Sequence, residues 1–321
     1  MKRRTLLGTS AAALIGLGPR PGHAETFPSR PLTVIVPFPA GGTTDAQMRT
    51  LAQRVGTDFG QQVLVDNRPG GGSTLGAIQV AHARPDGYLL TQLTAPAIRL
   101  QYMQHMSYDV LKDFAPIIHL TGYLFGVVVR ADAPWRNWGE LVADARRRPG
   151  AITVGNTGAN GTPHLTMVQL AEKEGIEFTH VPFRGEADGN PAFLGGHIDA
   201  MAAGSGAGRI VDDGKARWLN VWTAHRSKRW PQVPTLVELG YSDMVVTSPY
   251  GLVGPAGMNP AIVKHLHDAF AAHLRDPAHL AILERLDMEL DYRDSDGYAT
   301  FLRRQAQQEQ ELVRRLNLRT D

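Results

Sequence analysis

The chain has 321 residues, 43% of them hydrophobic, with 34 glycines, 21 prolines, no cysteine and a formal net charge of +2. That size and composition fit a globular protein of two ordinary domains. The missing cysteine excludes disulfides, thiolate metal sites and cysteine nucleophiles, and the even charge balance without a basic stripe excludes a nucleic-acid binder.

The first residues form a leader. Lys2, Arg3 and Arg4 are a basic start, Thr5 to Leu17 a short apolar run, and Gly22-His23-Ala24 places small residues for cleavage. Residues 1–24 read as a signal peptide. The Arg3-Arg4 pair is a partial twin-arginine signal, so the Sec and Tat routes both stay open. Removing the leader takes away Lys2, Arg3, Arg4 and Arg20 and turns the net charge to −2. No later run reaches the roughly 18 apolar residues of a membrane span, so a soluble, exported protein is expected.

The remaining chain alternates strand-like and helix-like runs, which predicts an α/β fold. Strands are expected at Leu32–Val36, Val63–Val65 and Tyr88–Thr94, with helices at Thr44–Val55 and Leu75–Ala83 between them. Strands follow at Phe114–Leu120 and Leu124–Arg130, then a helix at Trp138–Arg148 and a strand at Ile152–Gly155. Next come a helix at Pro163–Glu174, a strand at Phe178–Pro182 and a helix fragment at Pro191–Leu194. Ala200–Ala203, Leu219–Thr223, Met244–Ser248 and Gly251–Gly254 read as strands. Helices at Pro260–Leu274, Ala278–Leu286 and Ser295–Leu316 close the chain, with Leu266, Phe270, Leu274, Leu280 and Leu283 at core spacing. Trp135, Trp138, Trp218, Trp222 and Trp230 all fall in the middle segment. That shift places a second lobe at residues 125–247 and leaves a discontinuous first lobe of 25–124 plus 248–321. Crossings are expected near Gly122–Val129 and Val245–Gly254.

Two segments share one design. The strand ending at Val36 runs through "PFPAGGTTDA" into a helix, and the strand ending at Gly155 runs through "NTGANGT" into another. Thr44 with Gln47 forms a potential capping box, and Thr162 before Pro163 is a good N-cap. A glycine loop opening onto a helix N-terminus presents free N–H groups and the positive end of the helix dipole to an anion. A glycine turn after a strand also occurs for purely geometric reasons. Two such loops, one in each expected lobe, fit an anion of dicarboxylate size held between the lobes.

Competing chemistry lacks its motifs. "GGGSTLG" has no P-loop lysine, "GNTGANG" lacks the dinucleotide spacing, and "AGSGA" lacks the outer glycines of a nucleophile elbow. His265 and His267, two apart on a helix, face different directions, so no metal site is expected. His164 can donate to an anion or hydrogen-bond its own loop. Asp45 can serve the helix dipole, a ligand or a bridging water, and Arg49 stands one turn on. An enzyme acting on an anionic substrate would have only His164 and Asp45, on separate lobes.

A series of motifs carries a family likeness. It runs "VPFPAGGTTDAQMR", "VDNRPGGGSTLGA", "RPDGYLL", "GNTGANGTPHL", "HVPFRG", "LGGHIDAM", "VPTLVELGY" and "GLVGPAGMNP". In this order, over essentially the whole mature chain, it resembles the extracytoplasmic solute-binding receptors of tripartite tricarboxylate transporters, the TctC or Bug family. The resemblance implies a two-lobed periplasmic-binding-protein fold of type II-like form, with a central cleft and two crossing strands as hinge. It implies a non-enzymatic receptor for a small carboxylate: a dicarboxylate, a tricarboxylate or an acidic amino acid. It places ligand contacts at Phe38, Ala40, Gly41, Gly42 and Asp45, and at Asn156, Thr157, Gly158, Gly161, Thr162 and His164. Arg184-Gly185 matches a Lys-Gly pair, with Phe183 in place of a tyrosine. After "LGGHIDAM" the chain departs from the family pattern with "AAGSGAG", where small residues leave more room or move polar contacts to Ser205. Membrane subunits of a tripartite transporter are the implied partners, or a sensor protein in a signalling system. The protein is expected to act as a monomer, in the periplasm, with no metal or cofactor.

Overall fold

The structure is a computed structural model that describes residues 27–320, so the signal peptide expected at residues 1–24 lies outside the described residues. The first part of the chain lays down β1 (Leu32–Val36), α1 (Thr43–Phe59), β2 (Val63–Asn67), α2 (Leu75–Ala81), β3 (Leu89–Gln92), α3 (Ala95–Met103) and β4 (Phe114–Gly122). It then enters a second unit with β5 (Phe125–Arg130), α4 (Trp138–Arg147), β6 (Thr153–Thr157), α5 (Thr162–Glu174) and β7 (Thr179–Phe183). That unit continues with α6 (Glu186–Leu194), β8 (Ala200–Gly204), α7 (Gly208–Asp212) and β9 (Ala216–Val221). The chain returns through β10 (Pro249–Pro255), α8 (Pro260–Ala272), α9 (Pro277–Arg285), β11 (Leu290–Arg293) and α10 (Ser295–Arg315).

The strands sort into two sheets. One has six strands in the order β11-β4-β10-β3-β1-β2, and the other five in the order β7-β6-β8-β5-β9. In the first, β1 pairs parallel with β2 and β3, while β10 runs antiparallel between β3 and β4. In the second, β6 pairs parallel with β7 and β8, and β5 runs antiparallel to β8 and β9. In both sheets the strand that ends in the glycine loop, β1 or β6, therefore lies between two parallel neighbours. Its carboxyl end is where an open α/β sheet leaves a crevice for a ligand.

Burial follows the strand period of two. Leu32, Val34 and Val36 turn to one face of the first sheet and pack with Met48, Leu51 and Val55 of α1. Ile35 turns to the other face, with Ala77, Ile98, Tyr298 and Leu302. In the second sheet Val127 and Val129 share a core with Trp138 and Val154, whereas Val128 packs with Met201 and Trp218 on the opposite face.

The two units meet where the chain crosses between them. Tyr123 follows β4 directly, and its N–H donates to Thr247 Oγ1 at 3.0 Å, which ties the outgoing crossing to the returning one. Tyr123 stacks on Tyr250 at 5.3 Å and on Phe125 at 5.6 Å, and Phe125 leans on Trp222 at 6.0 Å. An aromatic column thus runs from β10 through the junction into the second unit.

Several local expectations need correction. Met244–Ser248 is no strand: it threads the junction, where Val246 N–H reaches Trp222 O but no strand runs beside it. The fragment expected at Pro191–Leu194 is the tail of a longer helix, α6, because the acidic first turn at Glu186 and Asp188 suits a helix start and Pro191 is accommodated inside. The helix Ala95–Met103 was concealed inside the segment after β3, where Thr94 caps it by accepting from Ala97 N–H. The edge strand β11 is short and half polar, so it lacked a period to read.

Candidate functional site

The first glycine loop turns at Gly41, whose φ of +82° disfavours side chains, and Gly42 is the N-cap of α1 in extended geometry. No side chain caps the helix, so the expected capping box is absent. The Thr44 hydroxyl and the Gln47 amide that would have formed it are committed elsewhere, as is the Thr43 hydroxyl beside them. Thr43 Oγ1 donates to Glu186 Oε2 at 3.0 Å, Thr44 Oγ1 hydrogen-bonds with Tyr123 Oη at 2.6 Å, and Gln47 Nε2 meets His279 Nε2 at 3.1 Å.

Asp45 turns back on its own loop. Its Oδ2 accepts from Gly41 N–H at 2.9 Å, and its Oδ1 pairs with Arg49 Nε at 2.9 Å. Burial pushes this carboxyl up, but the hydrogen bonds from Arg49, Gly41 and Asn67 outweigh it and hold it below the usual carboxylate range. Asp45 therefore fixes the loop as an anion.

The second loop is built the same way. Gly158 has φ +89° and Asn160 φ +58°, and Gly161, not Thr162, is the N-cap of α5, again without a side-chain cap. Thr162 is the first helical residue, since a Cβ on Gly161 would meet the backbone carbonyls of Thr157 and Gly158 and only glycine fits the cap. His164 Nδ1 accepts from Asn160 N–H at 3.0 Å, so this nitrogen serves the loop. Burial, with Arg99 nearby, lowers the His164 pKa and favours the neutral ring. His180 stands edge-on to it at 4.6 Å, and burial with His164 nearby pushes its pKa down to about 4.

Both helix starts open into one cavity between the sheets. It encloses about 50 Å³ and is lined from the first unit by Phe38, Pro39, Gly42, Thr43, Thr44, Pro96 and Ser248, and at the junction by Tyr123 and Phe125. Thr157, Thr162, Pro163, Glu186 and Ala187 line it from the second unit. Thr162 Oγ1 is buried there with no hydrogen-bond partner. The N–H groups at two helix N-termini and this hydroxyl are donors that an anion in the cavity could use, between proline and aromatic walls.

Of the residues expected at the site, Phe38, Gly42, Thr157 and Thr162 line this cavity. Gly158, Gly161 and Arg184 line an adjoining space of 240 Å³ beside the Gly70–Ser73 turn, where Arg184 Nε pairs with Asp188 Oδ2 at 2.8 Å. Gly41 and Ser205 line another of 530 Å³, which shares Gly42, Thr43, Glu186 and Ala187 with the main cavity. Ser205 is 1% exposed, and its hydroxyl is unpartnered. Asn156 is fully buried under the second loop, Ala40 is exposed on the rim, and Asp45 and His164 shape their loops behind the cavity wall.

Sequence reasoning missed Thr43, Tyr123, Phe125 and Glu186. Tyr123 and Phe125 did lie in an expected crossing, and in a two-lobed fold the crossings form the floor of the cleft. Glu186 carried a weaker signal, as an acid one residue after the Arg184-Gly185 turn.

The jaws are in contact. Besides the Thr43–Glu186 bond, Arg99 of α3 is buried against Glu309 of α10, with Nε to Oε2 at 2.6 Å, and its guanidinium also donates to Asn160 O in the second loop. Burial pushes the Glu309 carboxyl up, against the pull of Arg99. Among the described residues no group of histidine or acidic side chains is arranged to hold a metal ion, and no helix is long and apolar enough to cross a membrane.

Comparison with known proteins agrees with this architecture. Residues 47–318 match the family described as "Tripartite tricarboxylate transporter family receptor", TctC. A curated relative from Cupriavidus necator, "UPF0065 protein in gbd 5'region", is 40% identical, with 99% of each chain covered. The solved periplasmic binding protein BugD superposes with a TM-score of 0.85 at 28% identity, covering 91% of this chain and 99% of its own. MatC from Rhodopseudomonas palustris, solved with bound malate, gives 0.83 at 26% identity, covering 89% of this chain and 100% of its own. The chain belongs to the TctC or Bug family of tripartite tricarboxylate transporter receptors, with the two-lobed fold of periplasmic binding proteins.

Proposed function

We propose that this protein is a periplasmic receptor that captures a small organic carboxylate between two lobes and delivers it to the membrane subunits of a tripartite transporter. The lobes are residues 25–124 with 248–321, and residues 125–247. They close on each other about the paired crossings at Tyr123 and Thr247.

One observation carries this reading. The helices α1 and α5, one from each lobe, start on glycine caps without a capping side chain and open into the same cavity. A carboxylate seated there accepts from free N–H groups and from Thr162 Oγ1. Hydrogen bonds to a charged group are worth roughly 1.5–3 kcal/mol each, so a few of them reach micromolar affinity. Phe38, Gly42, Thr157 and Thr162 contact the ligand. Ala40, Gly41, Asp45, Asn156, Gly158, Gly161 and His164 hold the two loops in shape, and Arg184 and Ser205 stand in the adjoining spaces. The malate in MatC, a relative with the same fold, supports a carboxylate ligand.

The protein binds its ligand without converting it. Asp45 is held by Arg49 and Gly41, and His164 by Asn160, so the two acid–base candidates are occupied within their own loops. The protein acts as a monomer and is exported by its cleaved leader. Native mass spectrometry of the purified protein, followed by thermal-shift screening of mono-, di- and tricarboxylates and amino acids, tests this. A carboxylate that raises Tm and is recovered unchanged supports it. No shift with any carboxylate, or release of a product, overturns it.

A further inference from the structure

The cavity between the jaws contains an anomaly for a receptor of anions. Among the residues that line it the only charged side chain is a carboxylate, that of Glu186. Both of its oxygens are held by neutral donors: Oε2 by Thr43 Oγ1 at 3.0 Å and Oε1 by Gly204 N–H at 2.5 Å. Among the described residues no lysine, arginine or histidine pairs with it. Each carboxylate oxygen has two acceptor positions, so each keeps one free. The segment that departs from the family pattern accommodates this group. A Cβ on Gly204 or Gly206 would run into the Glu186 carboxyl, so those two glycines leave it the room it occupies.

We propose that Glu186 selects a ligand that carries a cationic nitrogen as well as a carboxylate, an amino or alkylammonium acid in preference to a plain dianion. The proposal rests on the receptor reading above and names the ligand's second group. The ligand carboxylate lies at the two glycine-capped helix starts, which attract negative charge. The nitrogen lies against Glu186 and the aromatic residues of the same wall, Phe38, Tyr123 and Phe125, whose ring faces attract cations. A dianion would instead bring its second charge toward Glu186. Like charges brought together in a partly buried site repel, and a cation reverses the sign. Burial pushes the Glu186 carboxyl up in the absence of such a partner, and a bound cation would draw it back down.

Calorimetric titration with matched acids tests the proposal. β-Alanine, γ-aminobutyrate, aspartate and glycine betaine are compared with malonate, succinate, glutarate and the monoacid butyrate, in the wild type and in Glu186→Gln. The glutamine amide still accepts from Gly204 and meets Thr43, and the wild-type panel reads the charge preference even if the variant folds poorly. At least one amino or alkylammonium acid is expected to bind about tenfold or more tightly than its length-matched diacid, the size of one charge-assisted bond. Glu186→Gln is expected to reduce that preference to about threefold or less. Diacids that outbind every nitrogen-bearing acid in the wild type overturn the proposal and leave the receptor reading intact, as does a preference unchanged in Glu186→Gln. Failure of every carboxylate to bind overturns both.

Discussion

Thr43 Oγ1 donates to Glu186 Oε2 at 3.0 Å, joining the first residue of α1 to the first residue of α6 across 143 positions of sequence. One partner stands on each jaw, so the bond exists only while the jaws are together. It makes the wall of the cavity and part of its closure the same contact.

Replacing Thr43 by valine keeps the shape and removes the donor. Hydrogen bonds to charged groups contribute roughly 1.5–3 kcal/mol. The variant is expected to bind its ligand about tenfold more weakly and to show a larger radius of gyration by small-angle scattering without ligand. Unchanged affinity together with an unchanged scattering profile would remove the bond from the closure mechanism.

The same carboxyl gives a pH signature. Burial raises the folded-state pKa of Glu186 above its ordinary value. Its favourable contribution is then complete below the unfolded pKa and is lost as pH rises through the folded one. Melting temperatures of the ligand-free wild type, taken relative to Glu186→Gln, should therefore fall as pH is raised from about 4.5. A flat difference curve would mean that Glu186 is as easily ionised in the fold as in the unfolded chain.

His180 titrates in the opposite sense. Burial lowers its pKa from 6.5 to about 4, so the folded state takes up its proton later than the unfolded chain. Its contribution is complete above the unfolded value and is lost as pH falls from 6.5 toward 4. His180→Phe should hold its Tm better than the wild type over that fall. Parallel curves for the two proteins would place the acid sensitivity in other groups.

Arg99 and Glu309 form a buried ion pair, with side chains 2% and 9% exposed. Arg99→Leu leaves the acid without its cation, and breaking such a pair costs about 3–5 kcal/mol. The double variant Arg99→Leu/Glu309→Leu should recover much of that loss, because the stranded carboxyl is gone. Urea unfolding of the set checks both statements. Equal losses in the single and double variants would show that the arginine matters through its bond to Asn160 O instead.

Gly42 and Gly161 occupy matching caps but should respond differently. Gly42 has an ordinary φ of −79°, and an added Cβ meets only Pro39 O at 3.5 Å. Gly42→Val should therefore fold, while its side chain at the cavity wall lowers ligand affinity by a hundredfold or more, about 3 kcal/mol. Gly161→Ala pushes a methyl into the carbonyls of Thr157 and Gly158. It should lower Tm even without ligand. A Gly42→Val protein with wild-type affinity would move the ligand away from the first loop.

Much of the fold was legible because it rests on short-range order. Leu32, Val34 and Val36 alternate with Thr33 and Ile35, and the glycines at 41, 42, 158 and 161 stand where strands pass into helices. The capping roles of Thr44, Gln47 and Thr162 were misread because a cap is a local bond and these side chains had other environments. Thr44 and Gln47 found Tyr123 and His279, both more than 70 positions away, and Thr162 Oγ1 was left facing the cavity. The helix at Ala95–Met103 was missed because its Pro96 reads as a breaker, although at a helix start proline forfeits no hydrogen bond.

The sequence by itself determined the α/β alternation, the two glycine loops on helix starts and the family to which they belong. All of these are written in spacing and in the backbone freedom of glycine. Only the tertiary structure decided what faces the cleft. Asp45 and Arg49, neighbours on one helix, neutralise each other, while Thr43 and Glu186, far apart in the chain, meet across the jaws. A side chain's charge can be read from its letter. Whether that charge is paired within its own loop or left open to a ligand depends on which distant backbone and side chains the fold brings beside it.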